Sequence, residues 1–171
     1  SPLHPRNNVN GTEQAAADGV LALNNPVLQS CLEKMTARLV RELNDYPNLL
    51  IQVCNEPWND AVPMDWHQRI ADLIHLTEQN LPHRHLVSMD VACGHLRLDT
   101  PQSGISVYNF HYVLGQTAED NHGLGLPIGM NETGFWGQAD TTYRKQGWEF
   151  MLSGGALYNN LDYSFSTGFE D

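Results

Sequence analysis

Two features of the sequence predict an α/β fold built on a parallel sheet. Short apolar runs alternate with longer amphipathic segments, the order expected of successive βα units rather than of a sandwich. The apolar runs also break off abruptly into polar and aromatic residues, and in parallel α/β folds the carboxyl ends of the strands form the rim where ligands bind.

Residues 1–24 are rich in Asn, Pro and Gly with little periodicity and read as a long loop. Pro26 suits a first helical turn. Leu28, Leu32, Met35, Leu39 and Leu43 then recur at three- and four-residue spacing, which predicts an amphipathic helix ending near Asn44 and stopped by Pro47. Leu49 to Cys54 is a nearly continuous apolar run that suits a strand covered on both faces, and it ends in Asn55-Glu56-Pro57-Trp58. A second helix is expected from about Met64 to Gln79, with Trp66, Ile70, Leu73 and Ile74 on one side. Further strands are expected at Leu86–Asp90, Ile105–His111, Pro127–Glu132 and Ala156–Asn160. A third helix after Asp140 carries Tyr143, Trp148, Met151 and Leu152. The links between the second, third and fourth strands are short, so their crossover helices shrink to a turn or two.

Composition narrows the function. The chain has 171 residues, the size of one ordinary domain; 41% are hydrophobic and 17% charged, which is globular composition. No apolar run approaches the roughly 18 residues of a membrane span. Twenty acidic against nine basic residues give a net charge of −11, a surface that repels phosphate backbones and anionic membranes. Nucleic acid and membrane are therefore not the expected partners. Cys31, Cys54 and Cys93 form no CxxC pair; Cys31 on a helix and Cys54 in a strand read as buried thiols. Eight histidines raise the question of a metal, but none shows HExxH or comparable spacing, and His83, His85 and His95 read as structural or surface residues. No metal and no cofactor is expected. Asn10-Gly11-Thr12 and Asn131-Glu132-Thr133 are glycosylation sequons; the second lies against a strand end, where a glycan is hard to place.

The strand ends carry Asn55 and Glu56, then Asp90, then His111 and Tyr112, then Glu132. Two glutamates on one rim supply what glycosidic cleavage requires. One carboxyl stays protonated to serve the leaving oxygen, and the other is ionised to attack or support the oxocarbenium-like carbon. Each residue also has an ordinary reading: an isolated strand-end glutamate is commonly a solvated loop residue, His111 a satisfied rim histidine, and Trp58, Tyr112 and Trp136 packing aromatics. The same aromatics suit sugar recognition, where apolar ring faces stack.

Taken in order, these segments resemble a known group. LLIQVCNEPW (Leu49 to Trp58) is similar to the fourth strand of a glycoside hydrolase clan A (β/α)8 barrel. SVYNFHY (Ser106 to Tyr112) is similar to strand six, LPIGMNETG (Leu126 to Gly134) to strand seven, and GGALYNNLDYSF (Gly154 to Phe165) to strand eight of cellulase-like members related to glycoside hydrolase family five. SPLHPRNNVN (Ser1 to Asn10) is similar to the loop after strand three.

The resemblance implies a partial TIM (β/α)8 barrel covering approximately strands four to eight, with residues 1–171 forming a single domain that lacks strands one to three and is inactive alone. It implies a retaining glycosidase of β-linked glycans, with Glu56 as general acid/base, Glu132 as nucleophile, Asn55 on the sugar 2-hydroxyl, and His111 or Tyr112 orienting the nucleophile or touching sugar. Trp58 and Trp136 join the substrate-binding set. The partner would be an oligo- or polysaccharide, and an extracellular or periplasmic location is the expectation. Two departures stand out: the arginine that supports the nucleophile would fall in the absent strands, and the strand-eight tryptophan has no counterpart, with Tyr158 or Tyr163 in its neighbourhood. The competing readings are a catalytically inactive carbohydrate-binding barrel and, further off, an unrelated barrel enzyme such as a lyase or metal-dependent hydrolase.

Overall fold

A computed structural model describes residues 5–7, 9, 21, 23–57, 62–91, 96–137 and 139–160. It contains α1 (Pro26–Leu43), β1 (Leu50–Gln52), α2 (Met64–Glu78), β2 (Leu86–Asp90), β3 (Val107–His111), α3 (Thr117–Asp120), β4 (Ile128–Glu132), α4 (Asp140–Leu152) and β5 (Leu157–Tyr158). The five strands lie side by side in chain order, every neighbouring pair parallel. This is the α/β partial barrel that the sequence predicts. No helix among the described residues is long and apolar enough to cross a membrane.

Alternation along the strands sorts the two faces of the sheet. Val87, Met89, Tyr108, Phe110, Ile128 and Met130 are buried in the apolar core with Trp66, Ile70 and Ile74 of α2 and Phe150 of α4. The opposite face carries Gln52, Ser88, Asp90, Asn109, His111 and Asn131. Gln52 ties this face together, its Oε1 accepting from Asn109 Nδ2 at 3.0 Å and from Asn131 Nδ2 at 3.1 Å. Asn109 lies over Gly129, where a Cβ would stand 2.2 Å from its Oδ1. The inner face is thus polar, which a reading of β1 as apolar on both sides does not anticipate. The strand itself is shorter than the expected 49–54 and only half-buried or exposed along its length.

The helices also differ from their apolar patterns. Asn25 caps α1, its Oδ1 accepting the Leu28 N–H at 3.0 Å, and Pro26 follows as expected. The buried side, however, is Gln29, Ala37 and Val40, while Met35, Leu39 and Leu43 are exposed. The reason is polar docking onto α2: Trp66 Nε1 donates to Gln29 Oε1 at 3.0 Å, and Arg69 Nε donates to Glu33 Oε1 at 2.8 Å. These bonds turn the helix one residue away from its leucine stripe. In α4, Tyr143, Gly147 and Phe150 are buried, whereas Trp148 is 67% and Leu152 81% exposed, with Met151 exposed as well. Cys31 is exposed on α1 and Cys54 lies half-buried beyond β1, so neither is the fully buried thiol expected; Cys93 lies outside the described residues.

The amino-terminal end of the sheet is locked. The Asn44 side chain bonds both backbone groups of His83, and His85 Nε2 meets the Tyr46 carbonyl at 3.0 Å. His85 Nδ1 pairs with Glu78, whose second oxygen accepts the His85 N–H at 3.0 Å. The structural reading of His85 therefore holds, whereas His83 enters through its backbone alone.

Candidate active site

The carboxyl ends of β1 to β4 converge. Glu56 follows β1, Asp90 ends β2, His111 ends β3 and Glu132 ends β4. His111 Nδ1 donates to Glu56 Oε1 at 2.9 Å and stands 3.6 Å from Glu132 Oε2, while its Nε2 faces Asp90 Oδ2 at 3.2 Å. Tyr112 donates its phenolic hydrogen to Glu132 Oε1 in a short hydrogen bond. The two sequence-selected glutamates are thus brought together across one buried imidazole.

Local backbone makes this convergence possible. By strict alternation Glu132 would share the helix-facing side with Met130. Pairing shifts at the end of β3 and β4, so that Phe110 faces Met130 and His111 faces Glu132, with Asn131 passed over. A bulge of this kind re-aims the next side chain, and here it lets Asn131 and Glu132 both serve the inner face. Glu56, Tyr112 and Phe135 have φ of 43°, 54° and 62°, and they are the only non-glycine residues with positive φ among those described. All three belong to this rim. Left-handed backbone in larger residues costs about 1–3 kcal/mol each and concentrates at functional sites.

Charge follows from the geometry. Burial works against the His111 imidazolium, but Asp90 and Glu56 on its two nitrogens, with Glu132 beyond, outweigh that and lift the group to about 9. His111 is therefore a cation at neutral pH, donating through Nδ1 to Glu56 and lying in charge contact with Asp90 through Nε2. Nearby, burial and then the Asp90 charge push the Cys54 thiol up to about 11. Burial lowers His67, on α2, against the pull of Asp90. Glu56, His111 and Glu132 also form the one cluster among the described residues whose nitrogen and oxygen atoms, all within 4.8 Å, could hold a metal ion. A metal would have to displace the proton that His111 holds between the two glutamates.

The other expected site residues fare unevenly. Asn55 is exposed beside Glu56, and Trp136 is 61% exposed on the loop after β4. Trp58 lies outside the described residues, as do Asn10, His95 and Tyr163. Tyr158 does not reach the site: its hydroxyl donates to the Tyr143 carbonyl at 2.9 Å, on the α4 side of the sheet. The Asn131 amide is turned inward onto Gln52, which leaves no room for a glycan. Sequence reasoning gave Asp90 no role and passed over Gln52, Asn109 and Phe135. The polar residue at every second position of VSMD and VYNFH was the available signal for Asp90 and Asn109. Phe135, 77% exposed with its ring 5.2 Å from that of Tyr112, carried none.

No family model matches the chain, and no curated protein is similar to it at the sequence level. Among solved structures, the chain is similar to the exo-β-1,4-mannosidase Op5Man5 from Opitutaceae bacterium strain TAV5, with a TM-score of 0.62 at 15% sequence identity. The match covers 85% of this chain and 34% of that one, so the chain spans about a third of the neighbour's length. The likeness is one of fold: a parallel α/β sheet that corresponds to part of a (β/α)8 barrel.

Proposed function

We propose that this protein hydrolyses glycosidic bonds of a β-linked glycan with retention of configuration, Glu132 acting as nucleophile and Glu56 as general acid/base. The carrying observation is that both glutamates meet at one imidazole, with carboxylate oxygens inside a 4.8 Å cluster. That closeness suits the roughly 5–5.5 Å carboxyl separation of direct nucleophilic attack; inversion needs about 6.5–9.5 Å to admit a water.

Glu132 attacks the anomeric carbon while Glu56 gives its proton to the departing oxygen. Glu56 then takes a proton from water, and that water releases the sugar from Glu132. Tyr112 orients the attacking carboxylate through its hydrogen bond, and protonated His111 steadies the charge on Glu132 and then the charge Glu56 acquires once it has given up its proton. On this reading Asn55 binds the sugar 2-hydroxyl and Trp136 a ring face; both are exposed, on the segments that follow β1 and β4. The same reading makes the described five-stranded sheet part of a (β/α)8 barrel.

The structural neighbour's name makes β-1,4-mannosides the first substrates to try, beside glucosides. Chromogenic glycosides should be turned over by the full-length protein with the β-anomer as first product by NMR, and Glu132→Ala should abolish turnover. Glu56→Ala should lose about 10²–10⁴-fold on poor leaving groups and much less on activated ones. Turnover surviving Glu132→Ala, or an inverted product, sinks the mechanism. Glycan binding without hydrolysis would favour a binding barrel instead.

A further inference from the structure

We propose that Asp90 is a positioning residue of this site, fixing in one carboxylate both the turn that carries Glu56 and the ring that bridges Glu56 to Glu132. The inference rests on the glycosidase reading above for its kinetic consequences, though not for its geometry.

Asp90 is completely buried, and a buried carboxylate persists only where donors or a cation compensate it. No arginine or lysine among the described residues pairs with it. Oδ2 accepts the Glu56 N–H at 2.9 Å and the Gln52 amide at 3.4 Å and lies in charge contact with His111 Nε2 at 3.2 Å, whereas Oδ1 has no hydrogen-bond partner among the described residues, so the imidazolium charge supplies the rest of the compensation. Those partners come from both neighbouring strands, because β2 lies between β1 and β3. The central strand of the three thus sets the distance between its flanks. Asp90 also holds the left-handed Glu56, at φ 43°, because the N–H of that residue ends on a buried acceptor.

Orientation of His111 follows. With Nε2 turned toward Asp90, Nδ1 is left to point at the two glutamates, the arrangement by which a carboxylate behind a histidine fixes its ring. The other titratable groups near Asp90 are Cys54, beyond β1, and His67, on α2. Burial leaves both neutral at pH 7, so His111 is the charged partner. Around His111 itself the facing groups are Asp90, Glu56, Glu132 and the Tyr112 ring, edge-on at 6.0 Å.

The test is Asp90→Asn, which keeps the shape and an acceptor but removes the charge, together with His111→Gln and the double variant. His111 titration by imidazole NMR should move down by about one unit or more. On a glycoside substrate kcat should fall roughly 10–100-fold with KM nearly unchanged, as expected when reacting groups are misplaced. The double variant should lose little beyond His111→Gln alone, since the two residues act as one unit. An unmoved titration, an unchanged kcat or an additive loss overturns the proposal. If the unsubstituted full-length protein hydrolyses no glycoside, the functional reading fails, and the titration alone judges Asp90. Should Asp90→Asn not fold, the unsubstituted protein still decides: a His111 titration well above 6.5 and a slowly exchanging Glu56 amide are expected, and the absence of either overturns the assignment.

Discussion

His85 and His111 are equally buried, each with a side chain 1% exposed, and both are paired with glutamate, yet they do opposite things for the molecule. His85 precedes β2 at the amino-terminal end of the sheet. Each of its nitrogens has one acceptor, Glu78 or the Tyr46 carbonyl, and the spare Glu78 oxygen is taken by the His85 N–H. Nothing there is left over. His111, at the carboxyl-terminal end of β3, serves three carboxyl groups with two nitrogens, and Glu56 and Glu132 share Nδ1. A closed set of partners makes a lock. A set with one acceptor too many makes a place where protons and substrate hydroxyls can be exchanged. Burial does not separate these two cases; the ratio of acceptors to donors does.

The lock gives the largest expected effect on stability. Removing one member of a buried pair leaves the other uncompensated, so His85→Ala or Glu78→Ala should cost about 3–5 kcal/mol in chemical denaturation. Loss below about 1 kcal/mol would mean that the lock is not closed. The hydrogen bond to Glu78 raises the His85 pKa above its ordinary 6.5, against burial, helped by the Tyr46 carbonyl. Its contribution is therefore complete below pH 6.5 and is lost as pH rises through the folded-state value, which pH-dependent melting of unsubstituted protein and Glu78→Gln would compare.

His111→Gln tests the other member of the comparison. Hydrolysis should fall roughly 10–100-fold, while stability falls by less than for His85→Ala. Since the folded pKa lies at about 9, above 6.5, the imidazolium is fully present below pH 6.5 and is lost as pH climbs through about 9. Activity should show a basic limb there that the Gln variant lacks. A variant with unchanged rate and limb would reduce His111 to a second structural histidine.

Two glycine-related changes sharpen the contrast between fixed interior and strained rim. Gly129→Ala would drive Asn109 off Gln52 and should cost about 1–3 kcal/mol, measured as a drop in denaturation midpoint. Phe135→Gly should do the reverse: relief of a positive φ under an exposed ring should stabilise by up to about 1 kcal/mol while raising KM for glycoside. A destabilised Phe135→Gly protein would show that the ring holds the loop rather than facing a ligand.

Much of the frame was legible in the sequence because periodicity reports secondary structure directly. The helix that starts at Pro26, the strand at 86–90, the strand expected at 127–132 and observed at 128–132, and the reduced crossover at α3 fall within a residue or so of where spacing put them. Facing was less legible. Leu39 and Leu43 share a stripe with Leu28, but two polar bonds from α2 fix the rotation of α1 and turn that stripe outward. Trp148 and Leu152 likewise look like core in one dimension and lie exposed in three.

The sequence by itself determined that strands and helices alternate, that the strands run parallel, and that carboxyl groups gather at strand ends, because propensity, pattern and connection length are local properties. Only the tertiary structure decided which carboxyl groups meet. Glu132 reaches the inner face through a bulge between β3 and β4, and Glu56 is held in a left-handed turn by Asp90 of a neighbouring strand. Those contacts join residues more than thirty positions apart or depend on a one-residue slip in pairing, and such a slip reverses the direction of a side chain without changing any local pattern.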